Sequence, residues 1–175
     1  TTIAESMVLV EAMQGFCAEK GKELVVYISM GFGNPYGDPW SPELAAEWVE
    51  KIVNVGVKTI SLADTVGSAD AATIKPLYET LIPKFPEVEF GAHFHATEQA
   101  RKAKLAAAWE GGCRRFDSAM LGFGGCPFAV DEVVGNIATE TVLEWLRTLE
   151  VDPKLDQEAL GKALTMAQEL FNSYH

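Results

Sequence analysis

The chain has 175 residues, 48% of them hydrophobic and 22% charged, which suits one globular domain with a sizeable core. Its 14 basic residues face 25 acidic ones, for a formal charge of −11. That sign argues against nucleic acid and anionic membrane surfaces as partners, because both attract cationic faces. No apolar run approaches the roughly 20 residues of a membrane-spanning helix. The three cysteines, Cys17, Cys113 and Cys126, form no paired framework, as expected in a reducing cytoplasm.

In chain order, residues 3–21 are predicted to form an amphipathic helix closed by Gly21, the residue type best suited to a left-handed cap. The run LVVYIS (24–29) is short and β-branched, hence a strand. A Gly/Pro loop follows. Ser41 as N-cap, Pro42 at the first helical position and Gly56 past the end bracket a second helix over 41–56. A strand over 59–63 leads to a helix over 70–82 with Asp70 as its cap. The third strand covers 88–95, and its helix, 97–110, stops at Gly111 and Gly112. A fourth strand over 114–120 precedes a glycine-rich loop, a helix over 139–149 and a terminal helix from Asp156. No linker divides the chain, so residues 1–175 are expected to form one domain.

Four strands, each followed by a helix, imply parallel pairing with right-handed crossovers. An open doubly wound sheet and a piece of a (β/α)8 barrel both fit. A whole barrel needs about 250 residues, so four units could supply only half. The chain also opens at Thr1 directly in helical sequence, so it is expected to be a piece of a longer protein.

The residues with chemistry sit after the strands. His93 and His95 are spaced i and i+2, which places both side chains on one face of a strand and Phe94 on the other. They fall at the C-terminal end, where parallel α/β folds keep their active sites. Two imidazoles there can serve one metal ion, or can simply line a pocket as hydrogen-bonded polar groups. In LGFGGCPFAVDEVVGN (121–136), three glycines precede Cys126 and Pro127. A loop thiol can move protons or attack carbonyls if its pKa is lowered; otherwise it is an inert cysteine. Asn136 can offer an amide oxygen to a metal or cap a turn. Asp64 and Thr65 end the second strand, suited either to substrate and site support or to helix capping. Arg115 and Asp117 share one face of their strand and invite an internal ion pair. Cys17, Cys113, Trp48 and Trp109 fall at packing positions.

Taken together, FGNPYG (32–37), SLADTVG (61–67), the His-x-His pair, LGFGGCP (121–127) and GNIATE (135–140) resemble the C-terminal half of 3-hydroxy-3-methylglutaryl-CoA lyases of the DRE-TIM metallolyase superfamily. The resemblance covers nearly the whole chain. It implies strands five to eight of a (β/α)8 barrel with their helices, and a divalent cation, Mg2+ or Mn2+. It also implies His93, His95 and Asn136 as metal ligands and Cys126 as a catalytic residue on a mobile loop. Asn34, Asp64 and Thr65 are the matching substrate or supporting residues. The implied reaction is carbon–carbon cleavage of an acyl-CoA to acetyl-CoA and acetoacetate, an oxo-acid-lyase chemistry. Within the superfamily, acyl-CoA condensing enzymes of the isopropylmalate, citramalate or homocitrate synthase type share the histidines but not usually the cysteine.

The chain departs from that pattern in three places. Ala96 stands where the family usually has aspartate after His-x-His. The loop between Cys126 and Asn136 is longer, with DEVV inserted, as in a bacterial subgroup. No Asp-Arg-Glu motif occurs, since it belongs to the first barrel strand. A half barrel leaves two sheet edges open and is expected to expose the apolar side chains of a barrel centre. The chain by itself is therefore expected to be inactive, an inert half-barrel fragment, and either to form a homodimer or to need the missing N-terminal half.

Overall fold

The computed structural model describes residues 2–124 and 134–173. Strands β1 (Val25–Ile28), β2 (Thr59–Asp64), β3 (Glu89–Phe94) and β4 (Arg115–Phe116) form one parallel sheet in the order β1-β2-β3-β4. The helices are α1 (Ile3–Glu19), α2 (Pro42–Asn54), α3 (Ala71–Lys84), α4 (Arg101–Glu110), α5 (Thr139–Thr148) and α6 (Gln157–Asn172). Each strand pairs with the next in sequence, so every crossover steps in the same direction. Right-handed βαβ units that step one way line up their helices on one face. Consistent with this, α1 packs on α2, α2 on α3, α3 on α4 and α4 on α5. This single winding excludes the doubly wound alternative, whose strand order reverses at a switch point. Among the described residues, no helix is long and apolar enough to cross a membrane.

Local signals explain most boundaries. Ser41 Oγ accepts from Leu44 N at 3.1 Å, Pro42 opens α2, and Gly56 takes the left-handed φ of +93° past its end. Asp70 Oδ1 caps α3 by accepting from Thr73 N at 2.9 Å. Gly21 takes φ +61° after α1. Between sheet and helices, Ile60, Leu62, Phe90, Ala92 and Phe94 meet Val49, Ile52, Ile74, Leu77 and Leu105. Burial of each such aliphatic or phenyl side chain is worth about 1.5–3 kcal/mol.

Four expectations need correction. The first helix forms but is not amphipathic in its packing. No residue of α1 is buried, and Ile3, Val8, Leu9, Met13 and Phe16 are each more than half exposed. Apolar residues run all round this helix, and only Met7 and Val10 lean on the core. The fourth strand is two residues long, not seven, because it pairs only with β3. Helix α4 starts at Arg101, not 97, since no side chain caps its first turn. Most consequential, the helix-free face of the sheet is polar, not apolar. Tyr27, Ser61, Gly91 and Arg115 form one cross-sheet row, and Arg115 Nη1 donates to Ser61 Oγ at 2.7 Å, passing over Gly91. A Cβ at Gly91 would come within 2.4 Å of Ser61 Oγ and 2.7 Å of Arg115 Nη1.

Candidate functional site

His93 is the next-to-last residue of β3, opposite Ala63, and His95 follows just beyond the strand. Their rings lie on one side, with centroids 5.1 Å apart at 82°. Phe94 turns to the helix layer and packs on Phe32. His95 also makes an antiparallel bridge with Asn136, and Ala96 N donates to Gly135 O at 3.2 Å. The segment that precedes α5 is thereby laid against the end of β3, and the two histidines and Asn136 converge on one corner.

His95 is only 6% exposed. Its ring hydrogen-bonds to the Val134 backbone, while Nδ1 is buried without a partner among the described residues. Burial pushes its pKa below the ordinary histidine value, and the neighbouring charge of His93 adds to the effect. Asn136 Nδ2 donates to Phe123 O at 3.0 Å and Gly124 O at 3.3 Å. Its Oδ1 accepts no hydrogen bond from the described residues. Gly124, at φ +89°, permits this approach, because a Cβ there would sit 3.0 Å from Asn136 Nδ2.

A divalent cation is what the resemblance implies here. Among the described residues, no group of three or more His, Cys, Asp or Glu is arranged to hold a metal. What converges is two imidazoles and an amide. A buried ring nitrogen without a partner needs an explanation. Neutral imidazoles and an amide oxygen are competent donors for a divalent ion with other positions left open. The three residues thus fit part of a coordination shell. Cys126 lies outside the described residues.

The other assigned residues serve the scaffold around that corner. Asn34 Oδ1 accepts from Tyr36 N at 3.0 Å and Asp38 N at 3.1 Å, folding its own loop. Thr65 Oγ1 accepts from Met30 N at 2.9 Å, holding the turn after β1. Asp64 is 3% exposed and faces the helices. It accepts from Ala69 N at 3.1 Å and from Lys104 Nζ at 2.5 Å. The structure therefore brings together His93, His95 and Asn136, links Asp64 to His95 O through Lys104, and engages Asn34 and Thr65 in the loops after β1 and β2. Cys113 is buried, and burial pushes its thiol up to about 11, as suits an inert cysteine.

Two features were missed from the sequence. Lys104 is 3% exposed and donates also to Gly67 O at 2.8 Å and His95 O at 3.0 Å. A lysine on the apolar side of an alanine-rich helix, level with Leu105 and Ala108, was the available signal. The second is Tyr27, whose hydroxyl donates to Asp117 Oδ2 at 2.8 Å. Burial alone would raise the Asp117 pKa, but His93, Tyr27 and Arg115 outweigh it and hold the carboxyl below its ordinary value.

The HMGL-like family model matches residues 2–166. An (R)-citramalyl-CoA lyase of Chloroflexus aurantiacus is 36% identical over 159 residues, which is 91% of this chain and 50% of that protein. The HMG-CoA lyase structure from Bacillus subtilis superposes with a TM-score of 0.88 at 27% identity, over 98% of this chain and 57% of that one. An HMG-CoA lyase from Acinetobacter baumannii, in complex with coenzyme A and 3-methylmalate, gives 0.85 at 29% identity, over 98% and 56%. The chain spans about half the length of the curated relatives it matches.

Proposed function

Because the chain belongs to the HMGL-like family, we propose that it carries the second half of the active site of a carbon–carbon lyase. The enzyme is divalent-metal-dependent and cleaves 3-hydroxy-3-methylglutaryl-CoA or a related 3-hydroxyacyl-CoA. The observation that supports this reading is the convergence of His93, His95 and Asn136 at the end of β3, with His95 Nδ1 and Asn136 Oδ1 unengaged by the described residues. The sheet corresponds to strands five to eight of a (β/α)8 barrel, within a single domain. Its open edges are covered by the first half of the barrel or by a second copy of the chain.

His93, His95 and Asn136 would hold Mg2+ or Mn2+, which when bound supplies Lewis acidity toward the substrate's oxygen atoms. In the reaction, the tertiary hydroxyl loses its proton to a base and its oxygen becomes a ketone carbonyl. The C2–C3 bond breaks, and its electron pair leaves as the thioester enolate. That enolate takes a proton at C2, giving acetyl-CoA beside acetoacetate. Cys126, which follows Gly124 closely in sequence, is the proton donor for that last step. Asn136 ties Phe123 and Gly124 to the metal corner through its amide protons. Asp64, Thr65 and Asn34 support the βα loops that frame the substrate. The named relatives cited above are lyases, which favours cleavage over acyl-CoA condensation.

A coupled acetoacetate assay with Mn2+ tests the reading. Turnover is expected from a protein that joins this chain to a complementary barrel half, and none from the chain alone. His93→Ala is expected to remove both metal content and turnover. Unchanged turnover and metal content in that variant would sink the assignment.

A further inference from the structure

Beside the paired histidines lies a carboxylate that the proposed chemistry leaves unused. Asp117 follows β4, and its backbone N donates to Ala92 O at 2.9 Å, which sets it level with His93. Its Oδ2 receives the Tyr27 hydroxyl at 2.8 Å and lies 3.6 Å from His93 Nδ1. Its Oδ1 stands 3.8 Å from Arg115 Nη2. Arg115 is itself pinned by Ser61. Each carboxylate oxygen thus has a neighbour of its own.

The His93 ring is confined on other sides as well. The Tyr27 ring meets it edge-on at 5.6 Å and 89°, and the His95 ring at 5.1 Å and 82°. With Nδ1 turned to Asp117, the other ring nitrogen, Nε2, points away from the carboxylate. Histidines that ligate metals characteristically give their second nitrogen's proton to such an acceptor, which fixes the tautomer and makes the ligating nitrogen more basic. The 3.6 Å separation exceeds an ordinary hydrogen bond, so Asp117 acts here chiefly through its charge and its fixed position.

We propose that Asp117, held by Tyr27 and Arg115, is a positioning residue for His93: it keeps the ring proton on Nδ1 and presents Nε2 to the cation. This rests on the metal reading given above. The bland account makes Asp117 only the counter-ion of Arg115. The two accounts differ in what happens to the imidazole when the carboxylate is removed.

The test uses the purified protein, wild type and Asp117→Ala, with two readouts besides activity. The first is Mn2+ affinity by titration calorimetry, expected to fall about 10- to 100-fold, the usual cost of losing such a partner. The second, taken without metal, is the His93 ring tautomer by nitrogen-15 NMR, expected to be Nδ1–H in wild type and to shift toward Nε2–H in the variant. Asp117→Asn, which keeps an oxygen acceptor without the charge, should fall between them. If Asp117→Ala does not fold, Tyr27→Phe, which keeps both rings and both charges, should lower Mn2+ affinity several-fold. An unmoved tautomer together with affinity within twofold of wild type overturns the proposal. No Mn2+ uptake by the wild type, with the tautomer shift still seen in Asp117→Ala, upholds the positioning and overturns the metal reading.

Discussion

Replacing Lys104 by Met should cost this protein a large share of its stability. The side chain is nearly inaccessible, and its ammonium group donates three hydrogen bonds, to Asp64 Oδ2, Gly67 O and His95 O. Methionine has nearly the same length and volume, so packing around Leu105 and Ala108 changes little. What changes is that a buried carboxylate loses its cation and two carbonyls lose their donor. Breaking one side of a buried pair costs about 3–5 kcal/mol, because the partner is left charged and dry. Replacing both sides removes that penalty, so Asp64→Leu with Lys104→Met should lose much less than the single change, despite the longer list of substitutions. Urea unfolding measures each variant. A loss below about 1 kcal/mol for Lys104→Met would refute the reasoning, since it would mean that water reaches Asp64 and screens it.

Other outcomes follow from the same structure. Cys126→Ser should cut lyase turnover by orders of magnitude while moving the unfolding midpoint little; a stability loss of several kcal/mol would make the residue structural. Cys113, with its thiol pushed up to about 11 by burial, should resist iodoacetamide at pH 8 in the native protein and react after unfolding, as mass spectrometry would show. His95 is held below its ordinary pKa by burial and by His93. Its unfolded form binds a proton first, so its contribution is intact above the unfolded-state value of about 6.5 and is lost as pH falls from there toward the lower folded-state value. Stability curves at pH 7.5 and 5.5 should show that loss in wild type and not in His95→Gln. Gly111→Ala would push a Cβ to 2.8 Å from Lys75 O and 2.9 Å from Tyr78 Cβ, and should lower the melting temperature by separating α3 from the end of α4.

Strand and helix alternation, caps and the histidine corner were legible because each rests on local chemistry. Ser41, Asp70 and Gly56 act within a few residues of themselves, and the His93/His95 spacing fixes a shared face whatever the rest of the chain does. The winding of the sheet was not decidable locally, because helix–strand alternation serves open and closed sheets equally. The features missed from the sequence depend on contacts distant in the chain. Lys104 looks like a solvated charge until Asp64, 40 residues earlier, is placed beneath it. Asn34, Asp64 and Thr65, which end or follow strands, were open to either a substrate or a supporting role. Their hydrogen bonds go to backbone groups, of its own loop for Asn34 and of the turn after β1 for Thr65, and for Asp64 also to a helix behind the sheet. Tyr27 reads as one more β-former in LVVYIS, and only its register with Ser61 and its reach to Asp117, 90 residues away, give it a part in the site.

The arginine that passes over Gly91 also constrains how such a sequence can evolve. Its guanidinium occupies space that only a hydrogen at position 91 leaves open. Alanine at 91 is harmful while Arg115 holds the Ser61 hydroxyl over it, since a Cβ would meet both, and it becomes tolerable only once position 115 is short and the freed serine hydroxyl turns aside. The two sites are contingent on one another, and their separate costs do not add. A lineage can therefore admit alanine at 91 only after 115 has been shortened and the Ser61 hydroxyl released from it. Reversion at 115 is then closed to it for as long as alanine remains at 91.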